Sequence, residues 1–152
     1  VNVESVEWDD PAAEALREAM SREMDERYAD MAGFDFPEGF SVARDSVVYT
    51  GVAVTEEGAA VGHVALRRIG GELEIKRMYV APGHRGGGVA VALLEAAEDA
   101  AVKAGADRVV LQTGDRQPDA VRLYEREGYT RIPVYPPYHL VPNSLCYHKR
   151  VT

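Results

Sequence analysis

Three stretches in the middle of the chain, residues 47–55, 59–68 and 72–80, have strand-like apolar patterning and are separated only by Glu56-Glu57-Gly58 and Ile69-Gly70-Gly71. Connections of that length and chemistry predict an antiparallel meander. The period then changes. Residues 89–104 are Ala-rich with Leu93, Leu94, Ala97 and Ala101 on one helical face, and Gly105 stands where a helix would end. Residues 108–113 predict a further strand, 118–126 a helix stopped by Gly128, and 129–134 another strand. Before the meander, residues 3–8 have a short strand pattern, and Asp9-Asp10-Pro11 supplies an N-cap and a first-turn proline for a helix over 12–31. The segment 33–39 (GFDFPEG) predicts a surface loop whose Phe34 and Phe36 either face a ligand or pin it to the core. A tail with prolines at 133, 136, 137 and 142 among tyrosines leads to a last strand over 144–151.

Size and charge narrow the choice of function. With 152 residues, 46% of them hydrophobic and 28% charged, the chain predicts one soluble domain spanning residues 1–152. Lys and Arg number 17 against 25 Asp and Glu, a net charge of -8, which argues against nucleic acid as a partner. The single cysteine, Cys146, provides no disulfide framework and no Cys-rich metal site, so a reducing, cytoplasmic setting is expected. His63, His84, His139 and His148 have no metal-ligand spacing, and no metal is expected. No secretory signal or membrane-spanning run is read in the sequence, so no membrane partner is expected either.

The sharpest local signal is Ala81-Pro82-Gly83-His84-Arg85-Gly86-Gly87-Gly88, placed between a strand and a helix. Such a turn exposes the first amides of the helix, where the helix dipole favours an anion, and side-chain-free glycines let a diphosphate approach. Arg85 can add a charge-assisted hydrogen bond. The ATP-type P-loop needs Lys and then Ser or Thr after its last glycine, and Val89 and Ala90 stand there instead. The dinucleotide fingerprint finds Val91 in place of its third glycine. Three glycines in a tight corner also have a purely structural reading.

The run Arg85-Gly86-Gly87-Gly88-Val89-Ala90 resembles the coenzyme-binding motif of the GNAT superfamily of acyl-CoA-dependent N-acetyltransferases. Residues 74–80 look like that family's fourth strand and 111–129 like its fifth strand and following helix. The resemblance implies an α/β fold of the α+β kind: a mixed, mostly antiparallel sheet of about seven strands, flanked by about four helices and splayed between the fourth and fifth strands. It further implies acetyl-CoA as cosubstrate, bound by the backbone of Met78, Tyr79 and Val80 along the pantetheine and by Arg85, Gly86, Gly87, Gly88, Val89 and Ala90 around the pyrophosphate. Gln117, where many relatives carry Asn, is a further contact to the cosubstrate.

Tyr124 matches the family's general acid, and a phenol, protonated at neutral pH, can give its proton to a departing thiolate. Glu74 is a candidate general base. Period-two alternation puts it on the same strand face as Val80, although a cross-strand ion pair and a water-relayed deprotonation are equally open for it. Cys146, near His148, is read as a buried structural thiol. Tyr135, Tyr138 and Tyr147 either wall the acceptor pocket or pack across the sheet edge. The expected reaction is direct attack of a primary amine, on a small molecule or a peptide, upon acetyl-CoA. A non-catalytic acyl-CoA sensor, or transfer to oxygen or of a longer acyl chain, stays open, as does a homodimer. The acidic composition favours a cationic acceptor.

Overall fold

A computed structural model describes residues 1–152, in the order β1 (Asn2–Ser5), α1 (Pro11–Arg27), β2 (Val47–Val54), β3 (Ala60–Ile69), β4 (Glu72–Val80), α2 (Val89–Lys103), β5 (Arg108–Gly114), α3 (Pro118–Arg126), β6 (Thr130–Ile132) and β7 (Ser144–Arg150). The strands form one seven-stranded sheet in the order β1-β2-β3-β4-β5-β7-β6, antiparallel throughout except for β4 beside β5. The meander forms as expected. Three α-helices are present where about four were expected. No helix is long and apolar enough to cross a membrane.

Asp10 caps α1, its carboxylate accepting from the amides of Ala12 (3.0 Å) and Ala13 (3.3 Å), with Pro11 in the first turn. The helix ends at Arg27, short of the expected 31, and continues as a 3-10 turn over Ala29–Met31. Arg116, in the β5–α3 connection, explains the early stop: it pairs with Asp30 and approaches the freed carbonyl of Arg27.

The helices divide between the two faces of the sheet. On one face, α2 and α3 cover Val64, Leu66, Leu73, Ile75, Val109 and Leu111 to form the main core. On the other, α1 covers Val52 and Tyr79. The segment between β6 and β7 packs Tyr138 and Val141 against Cys146 on that second face.

Two irregularities shape the site. First, β4 and β5 are joined only at Glu74↔Val110 and Ile75↔Leu111. Past Ile75 the edge of β4 toward β5 has no strand partner, so the sheet opens there. Second, β4 carries a bulge. Ala65 pairs with Lys76 and His63 with Tyr79, so two residues of β4 oppose one of β3, and Arg77 takes φ 55°. His63 fixes this backbone: the Arg77 carbonyl can only accept and the Arg17 guanidinium can only donate, so Nδ1–H donates to Arg77 O (2.9 Å) and Nε2 accepts from Arg17 (3.0 Å). The ring is thereby neutral. Burial holds its pKa at about 4, well below the usual value.

The bulge overturns one expectation. It inverts the alternation within β4, so Val80 joins the core under α2 while Glu74 lies on the opposite face with Arg67 and Tyr135. The two do not share a face.

Candidate active site

Where the sheet opens, a cavity of about 480 Å³ runs between β4 and β5. Its wall takes Met20, Met24 and Tyr28 from α1, Phe34, Phe36 and Phe40 from the following loop, residues 75–78 of β4, residues 112–114 of β5, and Gln117, Leu123 and Tyr124 around α3. Tyr124 belongs to the core beneath α2, whereas Lys76 approaches Phe40 and Tyr138 on the opposite face. The cavity therefore passes through the sheet and is lined from both sides.

Tyr124 is placed on it by the strong amphipathicity of α3, which turns Ala120, Leu123 and Tyr124 inward. Its ring packs against Tyr129 (centroids 5.7 Å apart) and Tyr147 (6.4 Å), and burial raises the phenol above its ordinary value. It is a proton donor at neutral pH. Gln117 forms the N-cap position of α3 and lines the cavity, with no side-chain hydrogen bond to the helix. Of the three expected backbone contacts on β4, Met78 reaches the cavity, while the side chains of Tyr79 and Val80 turn to α1 and to α2 respectively.

The glycine loop lies past the end of β4. Gly86 (φ 83°) and Gly88 (φ 87°) occupy the left-handed region, and a Cβ on either would meet nothing within 4 Å. The amides of Gly86, Gly87 and Gly88 donate to no other backbone atom, and those of Val89, Ala90 and Val91 begin α2 with no acceptor one turn back. Six successive donors thus stand free at a helix N-terminus, an arrangement suited to a diphosphate. Arg85 turns away from them. Its Nε donates to Val80 O (2.7 Å), and its terminal nitrogen pairs with Glu23 of α1 (2.8 Å).

Glu74 is fully buried and does not line the cavity. Its Oε1 accepts from Arg67 Nε (2.8 Å) and its Oε2 from the Tyr135 hydroxyl (2.6 Å). Arg67 also donates to the carbonyls of Gly39 and Ser41 (both 2.9 Å) and to Tyr138 Oη (3.1 Å), so this buried pair anchors the loop that carries Phe36 and Phe40. It is a cross-strand pair, with Arg67 directly opposite on β3, and it is buried rather than at the surface. The aromatic tail packs beneath the site: Tyr138 and Tyr147 are buried, and it is Val141 and Pro142 that reach the cavity. Cys146 is buried, and burial raises its thiol.

Several lining residues escape sequence reasoning. Tyr28 points its hydroxyl at the flat backbone of Gly114, where a Cβ would collide with it, and that hydroxyl is buried without a hydrogen-bond partner. Lys76 and Arg77 border the cavity; alternation with Leu73 and Ile75 was an available signal for Lys76, and none existed for Arg77, whose placement depends on the bulge. No group of three or more His, Cys, Asp or Glu side chains is placed to hold a metal ion.

An opened parallel pair, a free-amide loop at the end of β4 and a tyrosine on the helix after β5 occur together here, as the GNAT resemblance leads one to expect. The family model of the acetyltransferase (GNAT) family matches residues 7–129, and the chain belongs to that family. Among curated relatives, an IAA acetyltransferase of Azospirillum brasilense is 39% identical over 88 residues, 58% of this chain and 58% of its own length. An acetyltransferase of Agrobacterium fabrum is 40% identical over 75 residues, 49% of this chain and 50% of its own length. The matches thus span about half to three-fifths of those proteins. Among solved structures, a Klebsiella pneumoniae protein assigned as an acyl-CoA N-acyltransferase superposes with a TM-score of 0.81 at 26% identity, covering 99% of this chain and 97% of its own. An N-acetyltransferase of Thermoplasma acidophilum solved with coenzyme A shares the fold, with a TM-score of 0.71 at 15% identity and 99% of each chain covered.

Proposed function

We propose that the protein transfers the acetyl group of acetyl-CoA directly to a primary amine, with Tyr124 as general acid. The observation that carries this reading is the cavity through the sheet, with Tyr124 on its wall and the six free amides at the end of the same β4 strand. The amides of residues 86–91 bind the pyrophosphate, and the unpaired edge of β4 beyond Ile75 takes the pantetheine as a false strand. The thioester then lies in the gap, with Gln117 and Met78 beside it.

The neutral amine enters from the α1 face and its nitrogen forms the new bond to the carbonyl carbon. The C–S bond breaks, the sulfur leaves with its electron pair, and Tyr124 gives it a proton. The surplus proton on nitrogen passes to water, and water returns a proton to the Tyr124 phenolate, so the enzyme is restored. Glu74 is held by Arg67 and Tyr135 away from the cavity, which favours the water route and gives that carboxylate a supporting part. No acyl-enzyme is required.

Release of coenzyme A thiol across a panel of amines tests the reading. Tyr124→Phe is expected to lower kcat by about 10² or more while the affinity for coenzyme A stays unchanged. Binding of coenzyme A without turnover on any amine would instead identify an acyl-CoA sensor.

A further inference from the structure

The cavity wall at Lys76 holds more positive charge than the protein neutralises. Lys76 is 8% exposed, donates to Tyr138 Oη (3.1 Å) and stands 5.0 Å from the Phe40 ring centroid and 5.2 Å from that of Tyr138. An ammonium has three donors, and this one meets a single acceptor. Arg77 borders the same cavity and is half-buried; the carboxylates that share its outer side, Glu14 and Glu18, are exposed on α1 beside Arg17. The buried carboxylate of this face, Glu74, is already engaged by Arg67 and Tyr135. Three cations, Arg67, Lys76 and Arg77, therefore share one buried anion. The other charged group on the wall, Asp25, is exposed on α1, where water screens it.

A buried cation without a counter-charge is costly, and a ligand anion that supplies the missing charge is correspondingly favoured. That anion is not the pyrophosphate. Lys76 lies before the bulge on the α1 face, whereas the free amides begin at Gly86, past the end of β4, and none of residues 85–91 lines the cavity that Lys76 borders. The adjoining wall is aromatic. Phe34 meets Phe36 edge to face and Phe36 lies tilted on Phe40 (centroids 4.7 and 4.4 Å apart), and Phe34 and Phe36 keep 36% and 41% of their surface exposed. Rings left open beside a buried cation fit an apolar body with a negative end.

We propose that the acceptor is an aromatic or otherwise apolar amine bearing a carboxylate, the carboxylate lying on Lys76 and Arg77 and the apolar body on Phe34, Phe36 and Phe40. This rests on the acetyl-transfer reading for what happens to the amine, and it reverses the expectation of a cationic acceptor drawn from net charge: the charge of -8 is spread over the surface, while the wall is locally positive.

The test compares matched pairs by calorimetric titration of the whole chain saturated with coenzyme A: phenylalanine against phenylalaninamide, and para-aminobenzoate against para-aminobenzamide. In the wild type the carboxylate of at least one pair is expected to bind about tenfold or more tightly than its carboxamide. Lys76→Met, of similar length, is expected to remove that preference with coenzyme A affinity unchanged, and Phe36→Ala to weaken both members of the pair alike. The proposal is overturned if every carboxamide binds as tightly as its acid, if no member of either pair binds, or if Lys76→Met keeps the preference. Coenzyme A binding and thiol release, measured separately, report on the transfer reading itself, so a failure of one is distinguishable from a failure of the other.

Discussion

At the scale of single residues, the site depends on buried polar groups whose partners leave them one protonation state. His63 is the plainest case, since a carbonyl on one side and a guanidinium on the other admit only the neutral ring. In the unfolded chain the same imidazole takes up a proton near the ordinary value of about 6.5, whereas in the fold burial lets it do so only near 4. Between those values the unfolded state binds more protons, so stability is full above about 6.5 and falls as the pH drops toward about 4. The loss is expected to reach roughly 3 kcal/mol. Chemical denaturation at a series of pH values checks it, and His63→Gln is expected to flatten that part of the profile relative to the wild type. Tyr124 and the glycines were legible because their chemistry is tied to short local patterns. The faces of Glu74 and Val80 were not, because counting by two along a strand assumes no bulge, and nothing local in Lys76-Arg77-Met78 announces that Arg77 adopts φ 55°. His63, on the neighbouring β3, donates to its carbonyl there.

At the scale of elements, strand and helix positions followed from period and from turn chemistry, with shifts of a few residues at the ends. The early end of α1 was hidden because its cause, Arg116, lies far along the chain. The glycine loop shows what an element end can do. Gly88 is the N-cap of α2, and its left-handed backbone aims the free amides outward. Gly88→Ala introduces no collision, since no atom lies within 4 Å of the added carbon, but it places an L-residue at φ 87°. The expected cost is about 1–2 kcal/mol if the conformation is kept. Relaxation of the loop would turn the amides away, so coenzyme A affinity is expected to fall about tenfold or more while the fold survives, as isothermal titration with circular dichroism would establish.

For the whole molecule, the sheet consists of two plates, β1-β2-β3-β4 and β5-β7-β6, meeting at two residue pairs. Arg116, paired with Asp30 and standing 5.2 Å from the Tyr28 ring, links the end of α1 to the connection leaving β5 across the gap. A ligand that pairs with the free edge of β4 adds contacts the empty fold lacks. Saturating coenzyme A, at about a hundredfold excess over its Kd, is expected to add about 2.7 kcal/mol and to raise the unfolding midpoint by several degrees. A concentration-dependent thermal shift is the measurement. The topology of these plates was readable through the family resemblance, but the charge of the wall was not, because composition averages over a surface and the cavity samples only a few residues of it.

The opening through the sheet also separates two kinds of chain. The groups proposed to handle the acyl donor sit on β4, on α3 and at the start of α2, whereas Phe34, Phe36 and Phe40 belong to a stretch without strand pairing, fastened to β3 by Arg67 through the carbonyls of Gly39 and Ser41. Backbone carbonyls are present whatever the side chain. That stretch can therefore be rewritten around Gly39, whose φ of 90° calls for glycine, with its mooring intact and the donor machinery untouched. The fold behaves as a fixed engine with an interchangeable faceplate, and selectivity toward new amines is open to grafting within a single loop.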